Sequence, residues 1–404
     1  MLIEIDSSLK EYIENNISKL NETSKEIEII EEIARAYSNK RHIIIAKRSV
    51  LLYFSKLDIL EKKVRSIYTD LYSRSAQYKV YKKTFVEYIK VTSNEYGFRK
   101  VEEGNQFIYE VPIDYFNNHK FLRESVLVTE NLRDAWVYKS MTKKYIKQVV
   151  DINLDINLEE MPGGGNDLSI AYENKIKENR LVICIADSDR KYPEDTIGDT
   201  ARYAWNIYEN HKSDKIIYMH KLGVREKENL IPPSFYMLCT NGINTESLKN
   251  LMKLELLNNS KSEFLKYVDI KDGVELKTYR GENKNCIDFI KNIIEEHPEL
   301  LACDLEKEKD LNSKVILGAG SKAMDTFYRD ILEDNLDNIL KEKLIALEKY
   351  NNKNLQSEIE ELKCRILKKD SLFINLPAYI EEEWYKLCNI ILAWGCIDEF
   401  RAIS

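Results

Sequence analysis

The sequence predicts an α/β protein with a central parallel-sheet domain between two mostly helical regions. Short apolar runs alternate with helical segments over residues 121–238, which is typical of a parallel sheet built from βα units. On either side, apolar residues recur at helical spacing. We therefore expect a mostly helical region at 1–120 with a hairpin near 98–113, the parallel-sheet domain at 121–238, and a mostly helical region at 239–404.

Composition indicates an ordinary globular protein. The 404 residues are 32% charged and 44% hydrophobic, which argues against a disordered or collagen-like chain. The seven cysteines form no CxxC pair, so we expect reduced thiols and a cytoplasmic location. No secretory signal is expected at the acidic amphipathic start, and no membrane span, because Lys47 and Arg48 interrupt the most apolar run. With a net charge of -7, contact with nucleic acid would depend on local basic clusters such as 79–85 and 139–147.

Helical spacing dominates the first region. It predicts helices at 9–20, at 25–37 and from 57 to 71 onward, whereas the apolar run 42–54 is a buried helix or a strand. Near residue 98 the pattern changes to alternation around a Gly-Asn pair. We therefore expect a hairpin that turns at Gly104.

Apolar runs mark the strands of the middle region. The predicted strands lie at 125–129, 181–186 and 215–219, with a weaker one at 146–152. Helices are expected at 131–144 and 195–211, the second capped by Asp195 and Thr196. In the last region, an amphipathic stripe covers 327–340, and a charged helical stretch follows at 344–367 as a hairpin or a partner helix.

Acidic residues directly follow two of these strands. Glu130 follows 125–129, while Asp187 and Asp189 follow 181–186. Loops at the carboxyl ends of parallel strands line the ligand crevice of such sheets. In an extended segment, residues i and i+2 point to the same side, so we expect Asp187 and Asp189 to address one ion while Ser188 turns away. Clustered carboxylates are costly without a cation, and Mg²⁺ prefers carboxylate, water and phosphate oxygens.

Four sequence strings carry a family resemblance. In order they are VLVTENLRDAWVY, MPGGGNDLS, LVICIADSDRKYP and HKLGVREKENLIP, all within 121–238. Together they resemble the TOPRIM domain, which topoisomerases, primases and the overcoming-lysogenisation-defect (OLD) nucleases share. In that family a glutamate after the first strand and a DxD pair after a later strand bind magnesium at the reacting phosphate. The resemblance therefore implies a TOPRIM-like fold for the middle region.

The resemblance also implies which acids would bind the metal. Glu130 matches the family's glutamate, Asp187 and Asp189 match its DxD pair, and Asp134 resembles an acid at the start of the following helix. The segment REKEN at 225–229 resembles the closing acidic motif of the OLD-like branch, which makes Glu228, or else Glu226, a further acid. The implied metal ligands are thus Glu130, Asp134, Asp187, Asp189 and Glu228. One departure is Asn131, where the family commonly has a glycine.

The implied activity is a phosphodiesterase that depends on Mg²⁺ or Mn²⁺ and cuts DNA or RNA. The acids would hold one or two ions that activate a water, with Glu228 or Asp134 completing a second metal position or acting as base. Lys221, Arg225 or Arg190 would neutralise the phosphate. His220 and the glycines of 162–167 are expected to be structural.

Partners also follow from the resemblance. The string at 316–322 does not satisfy the phosphate-loop pattern, so an ATPase on this chain is not expected. The resemblance then implies an effector of a prokaryotic anti-phage system that works with a separately encoded ATPase or sensor protein, and we expect a homo-oligomer formed through the C-terminal helices. Two alternatives stay open, namely a non-catalytic TOPRIM-like scaffold or interaction subunit and a primase-like nucleotidyl transferase.

Overall fold

A computed structural model gives the fold of the chain, which is mixed α/β. It describes residues 1–93, 97–117, 119–239, 246–256, 263–333, 335–349 and 356–398. Within those ranges no helix has both the length and the apolar character needed to span a membrane.

The elements of the described residues follow in chain order. The strands are β1 (Leu2–Ile5), β2 (Ile43–Ala46), β3 (Glu87–Thr92), β4 (Arg99–Glu103), β5 (Gln106–Pro112), β6 (Val126–Thr129), β7 (Leu154–Ile156), β8 (Glu159–Pro162), β9 (Val182–Ala186), β10 (Ile217–Lys221), β11 (Gly273–Glu275), β12 (Lys314–Leu317) and β13 (Cys396–Asp398). The α-helices are α1 (Ser7–Asn16), α2 (Lys25–Ser38), α3 (Arg48–Lys56), α4 (Lys62–Lys82), α5 (Leu132–Tyr145), α6 (Leu168–Lys177), α7 (Asp199–His211), α8 (Glu246–Glu255), α9 (Leu276–Tyr279), α10 (Lys284–Glu296), α11 (Ser321–Phe327), α12 (Asn335–Lys349), α13 (Gln356–Asp370) and α14 (Ala378–Gly395).

The chain divides into two compact units. Unit 1 consists of residues 1–186, 202–220 and 387–404, and unit 2 consists of 187–201 and 221–386. The division of the sequence into three regions stays a prediction.

A five-stranded sheet in the order β2-β1-β3-β5-β4 forms the N-terminal part of unit 1. Neighbouring strands are parallel except β4, which pairs with β5 in the predicted hairpin around Gly104. The prediction of a mostly helical region at 1–120 therefore missed β1 and β3, and it left β2 open between a helix and a strand. These strands are buried almost throughout, so they lack the polar alternation that marks a half-exposed strand. The run 42–54 contains both expected alternatives, β2 and then most of α3.

The second sheet of unit 1 is the parallel-dominated sheet that the sequence predicts, in the order β10-β9-β6-β8. Strand β6 pairs in parallel with both β8 and β9, and Val128 faces Met161 on one side and Cys184 on the other. The strands predicted at 125–129 and 181–186 are confirmed as β6 and β9, and β10 begins two residues later than expected. Strand β8 escaped prediction because its sequence, EEMP, is polar.

Two other expectations for the middle region are wrong. The weak strand predicted at 146–152 is a π-helical continuation of α5, which ends where Asp151 adopts a left-handed backbone with φ 53°. Helix α7 begins at Asp199 and not at Asp195, because the Asp195 carboxylate accepts hydrogen bonds from Lys191 N and Thr196 N and so forms a turn.

Unit 2 is mostly helical, with a short antiparallel pair of β11 and β12. The stripe predicted at 327–340 is interrupted, because a π-helical turn at Tyr328–Leu332 separates α11 from α12. The stretch predicted at 344–367 comprises the end of α12 and much of α13, and residues 350–355 lie outside the described part of the chain. Helices α12 and α13 pack on each other, with an ion pair of 2.8 Å between Lys343 and Glu358.

Candidate functional site

The end of β6 in unit 1 carries two of the predicted acids. Glu130 follows the strand, and Asn131 then caps α5 by accepting a hydrogen bond of 3.1 Å from Asp134 N. In return, Asn131 N donates to the Asp134 carboxylate over 3.1 Å. This reciprocal capping box satisfies backbone donors that the first turn of a helix would otherwise leave unpaired. The buried Asp134 carboxylate thus has a structural task at the start of α5.

The glycine-rich segment also belongs to unit 1 and closes over the end of β6. Gly163 N donates to Thr129 O over 2.7 Å, and Gly164 N donates to Glu130 O over 2.9 Å. A Cβ at Gly163 would lie 2.5 Å from Leu168 Cα, so only glycine fits there. Gly164 has φ 73°, a conformation that favours glycine. These contacts are the turn-forming task expected for the segment.

Glu130 affects its neighbouring strand electrostatically. Burial raises the pKa of the Cys184 thiol in β9, and the negative charge of Glu130 raises it further. This coupling agrees with the parallel pairing of β6 and β9, in which Val128 faces Cys184.

In unit 2, the structure brings two predicted motifs together. They are the acid loop, residues 187–189, and the REKEN segment, residues 225–229. Ser188 N and Asp189 N both donate to Arg225 O, over 3.0 and 2.9 Å. Lys227 N donates to a carboxylate oxygen of Asp187 over 3.1 Å, and the buried Ser188 hydroxyl donates to Val224 O over 2.5 Å. Four hydrogen bonds thus fix the acid loop: three join it to the REKEN segment, and one joins it to Val224 directly before that segment.

The geometry of Asp189 differs from the expectation. Its φ of 56° is left-handed, so the expected extended segment with both carboxylates on one side is wrong there. Gly198 N donates to Ser188 O over 2.9 Å, and a Cβ at Gly198 would collide with the Asp189 carboxylate. Asp189 is exposed as a residue, yet partial loss of water around its carboxylate raises its pKa, while Arg225 and Lys191 oppose that shift. Asp189 therefore packs its carboxylate against a glycine backbone.

Acids and bases alternate along the REKEN segment and pair with each other. Arg225 contacts the carboxylates of Glu226 and Asp269, each over 3.1 Å. Lys227 Nζ lies 3.2 Å from a carboxylate oxygen of the buried Glu228. Burial raises the pKa of Glu226; Arg225 opposes this shift, and the charges of Asp269 and Glu228 add to it. The segment therefore combines a high density of carboxylates with internal compensation by two bases.

Asn229 anchors this arrangement and was not singled out in the sequence. Its buried side-chain amide donates to Leu265 O and to Val268 O, both over 2.7 Å, and Arg225 N donates to Lys266 O over 2.7 Å. Together these bonds tie the REKEN segment to residues almost forty positions later. An asparagine amid charged residues gives no signal of such a role, because its partners are distant backbone carbonyls.

The remaining predicted residues have identifiable surroundings. The Arg190 guanidinium lies 5.8 Å from the ring centre of Tyr267 and donates to Pro193 O over 3.2 Å. Lys221 is half-buried at the end of β10, and His220 before it is buried, as expected for a structural histidine.

The donor chemistry of the acid loop suits a hard divalent cation. Within the described ranges, no three His, Cys, Asp or Glu side chains form a group that could hold a metal ion. Mg²⁺, however, is usually bound by one or two carboxylates together with waters and substrate phosphates. Asp187 and Asp189 supply such a set of oxygen ligands, so the residues fit the group by their chemistry.

Comparisons with known proteins were made at three levels. No protein-family model, no curated protein and no solved structure matches this chain. The resemblance to the TOPRIM domain therefore stays a prediction from the sequence.

Proposed function

We propose that the protein is a phosphodiesterase that depends on Mg²⁺ or Mn²⁺ and cuts DNA or RNA. The observation that supports this proposal most is the pairing of the acid loop with the REKEN segment in unit 2. Two motifs separated by almost forty residues, which both resemble motifs of the TOPRIM family, are joined by hydrogen bonds between Asp187, Ser188, Asp189 and the 224–227 backbone. Sequence distance alone does not require such a contact.

The proposed roles follow from charge. Asp187 and Asp189 would hold the cation, which when bound supplies the charge that activates a water and stabilises the phosphate. The raised pKa of Asp189 means that it must lose its proton before it can act as a ligand, and the charges of Arg225 and Lys191 favour the ionised form. Lys227 orients Asp187 through its backbone N–H. Lys221 is proposed to neutralise the substrate phosphate.

Two further acids enter the proposal with different support. Glu130 is included because the family resemblance places its glutamate there, after a strand whose parallel neighbour is β9. Glu228 is included as the closing acid of REKEN, where Lys227 now compensates its charge. Asp134 already caps α5, so its proposed metal role requires that its carboxylate serve both tasks.

We further propose that the enzyme is a regulated effector of a cytoplasmic anti-phage system, working with a separate ATPase or sensor protein. The resemblance supports this part, and it predicts weak or silent activity in the isolated chain. Strong unregulated cleavage by the pure protein would contradict it. Light scattering tests the proposed homo-oligomer, which a monomeric mass would exclude.

A second candidate is a non-catalytic scaffold. The observation that favours it is the internal pairing of the acids, since Arg225 bridges Glu226 and Asp269 while Lys227 contacts Glu228. Ion pairs of this kind also occur in proteins as structural networks without a catalytic role. If the protein is a scaffold, the contact between the acid loop and the REKEN segment only stabilises the fold of unit 2.

One experiment separates the two candidates. Purified protein is incubated with plasmid DNA, single-stranded DNA and tRNA in Mg²⁺ or Mn²⁺, beside the double variant Asp187→Asn/Asp189→Asn and the control Asp288→Asn, an exposed acid on α10. Asparagine keeps the side-chain shape and tolerates the left-handed backbone at 189. We expect a loss of about a thousandfold or more in the double variant and none in the control.

Calorimetric titration with Mn²⁺ completes the test when no cleavage is seen. Metal binding that disappears in the double variant would support a nuclease that awaits its activating partner. Absence of both cleavage and metal binding would instead support the scaffold.

A further inference from the structure

Unit 2 contains a cavity next to the REKEN segment that none of the proposed roles uses. Its volume is about 310 Å³, which is at the lower end of the range for ligand pockets. A cavity of this size suits a small molecule or a single monomer of a larger ligand. Arg225 reaches it from the REKEN segment, while β11, α9 and α10 provide the other walls. The lining residues used below are Lys191, Arg225, Tyr267, Lys277, Phe289 and Lys314.

The charges of the lining favour an anion. Four basic side chains, those of Lys191, Arg225, Lys277 and Lys314, face three acids. Both Lys277 and Lys314 pair with the single carboxylate of Glu275, and Arg225 pairs with Asp269 of the lining and with Glu226 outside it.

Lys191 is the fourth base of the lining, and its positive charge is not used in these ion pairs. Among the described residues its ammonium has no ion-pair partner, and the residue is exposed. Its positive charge nevertheless belongs to the cavity, because Lys191 is one of the lining residues. The cavity therefore keeps a net positive character with one accessible ammonium at its wall.

Aromatic side chains form a second feature of the same cavity. Phe289 and Tyr267 have ring centres 6.0 Å apart at an angle of 84°, and Phe264 supports Phe289 from 5.2 Å. Phe289 is half-buried and is one of the residues that line the cavity. Aromatic faces are the usual platform on which proteins stack nucleic-acid bases.

We propose that this cavity binds a nucleoside phosphate, with the phosphate at Lys191 and Arg225 and the base against Phe289. A bare anion would need no aromatic wall, and a planar apolar ligand would need no surplus of cations. The ligand is either one nucleotide of a single strand or a free nucleotide, which share this chemistry. Binding of a nucleotide within a nucleic-acid strand rests on the proposed function. In that case Arg225, whose carbonyl accepts hydrogen bonds from the acid loop, would link the bound nucleotide to the proposed metal centre.

Calorimetry on the full chain in EDTA tests the proposal without metal or cleavage. The probes are AMP, adenosine, ribose 5-phosphate, inorganic phosphate and a single-stranded trinucleotide of deoxyadenosine. We expect AMP to bind at least about tenfold more tightly than each fragment, because each fragment lacks one of the two contacts. AMP binding no tighter than binding of inorganic phosphate, or no AMP binding, would overturn the proposal.

Variants locate the binding. Lys191→Glu is expected to weaken AMP binding by about tenfold or more, and Lys191→Arg to retain it. Phe289→Leu keeps an apolar side chain without the ring and should weaken binding about fivefold or more. Lys307→Glu, at an exposed lysine elsewhere in unit 2, is the charge control and should bind as the wild type does. Circular dichroism checks that each variant is folded, and unchanged binding in both Lys191→Glu and Phe289→Leu would overturn the site.

Two further measurements complete the test. One distinguishes a nucleotide within a strand from a free nucleotide, and the other separates the nucleotide pocket from the proposed nuclease function. Tighter binding of the trinucleotide than of AMP supports a strand, whereas the opposite order overturns the strand form and supports a free nucleotide. The double variant Asp187→Asn/Asp189→Asn should still bind AMP. If no cleavage or metal binding is found while AMP binds and Lys191→Glu weakens it, the proposed function fails and the nucleotide pocket stands.

Discussion

Two acidic regions of the molecule follow parallel strands in the sequence and yet differ in what their carboxylates do. At the end of β6 in unit 1, Asp134 forms a reciprocal cap with Asn131, and the glycines fold onto the strand end through backbone bonds. In unit 2, the acid loop that follows β9 holds its backbone to Arg225, and Asp189 adopts a left-handed conformation. The first region uses an acid to start a helix, and the second places acids on an irregular loop.

The difference shows why an acid after a strand is a weak indicator by itself. Helix starts favour Asp and Asn because their side chains accept the unpaired N–H groups of the first turn. In the acid loop, by contrast, Ser188 N and Asp189 N donate to Arg225 O, and the Asp187 carboxylate accepts from Lys227 N. A helix start therefore accounts for Asp134 in unit 1, whereas Asp187 in unit 2 belongs to a contact between two segments of the chain.

Removal of Asn229 is the strongest structural test of the unit 2 arrangement. Asn229→Ala leaves Leu265 O and Val268 O without their donor, and each buried orphan costs about 1 to 3 kcal/mol. We expect the free energy of unfolding to fall by about 2 to 5 kcal/mol in urea denaturation. Asn250→Ala, where a half-buried asparagine donates to Glu299 O in an exposed hydrogen bond, is the matched control and should cost less than about 1 kcal/mol. Equal losses in the two variants would show that Asn229 does not anchor the REKEN segment.

The two glycine contacts sharpen the comparison between the units. In Gly163→Ala the new Cβ would approach the Leu168 backbone, so the turn must move, at a cost of about 1 to 3 kcal/mol. In Gly198→Ala the nearest atoms belong to the Asp189 side chain, which can shift more easily than the Leu168 backbone. We therefore expect Gly198→Ala to lose less stability and to change Mn²⁺ affinity, whereas Gly163→Ala leaves that affinity intact. Thermal denaturation and calorimetry measure both quantities, and the reverse pattern would contradict the assignment of the acid loop as the metal centre.

Substitution of Asp134 should lower stability by a smaller amount, and it tests whether this carboxylate is also a metal ligand. Asp134→Ala removes one half of the capping box, which typically costs about 1 kcal/mol. If its carboxylate serves only the cap, metal binding and cleavage stay at wild-type level. A loss of metal affinity beyond about tenfold in a folded Asp134→Ala protein would show that it is also a ligand, as the family resemblance implies.

Much of the fold could be predicted from the sequence, and the failures have physical causes. Strands β6 and β9, the hairpin at Gly104 and most of α2 and α5 were predictable because local periodicity, turn residues and caps mark them. Strand β1 was not, and β2 could not be told from a helix, since a short run buried on both faces has no period. Their pairing connects residues forty positions apart, which local patterns do not encode.

The candidate site was predictable in its parts and not in its assembly. The resemblance indicated the acid loop and REKEN as one site, and the structure joins them through Arg225 and Lys227. The left-handed backbone of Asp189 has no local sequence signal beyond the tolerance of aspartate for that conformation. The cavity depends on Lys191, Phe289 and Lys314, which only the tertiary fold brings together.

The smallest expected effect concerns the pH dependence at Asp189. Its pKa is raised in the folded protein, so the protonated form is favoured on folding and the contribution of Asp189 to stability is fully present below its unfolded pKa. That contribution is lost as the pH rises through the folded pKa, so at pH 7 the ionised carboxylate is a burden that Asp189→Asn removes. We therefore expect Asp189→Asn to raise Tm at pH 7 and to lose this advantage as the pH falls below the unfolded value. Asp288→Asn, on the exposed face of α10, is the control and should show no such trend. A lower Tm for Asp189→Asn at pH 7 would contradict the prediction. It would mean that Arg225 and Lys191 stabilise the Asp189 carboxylate more than the loss of water destabilises it.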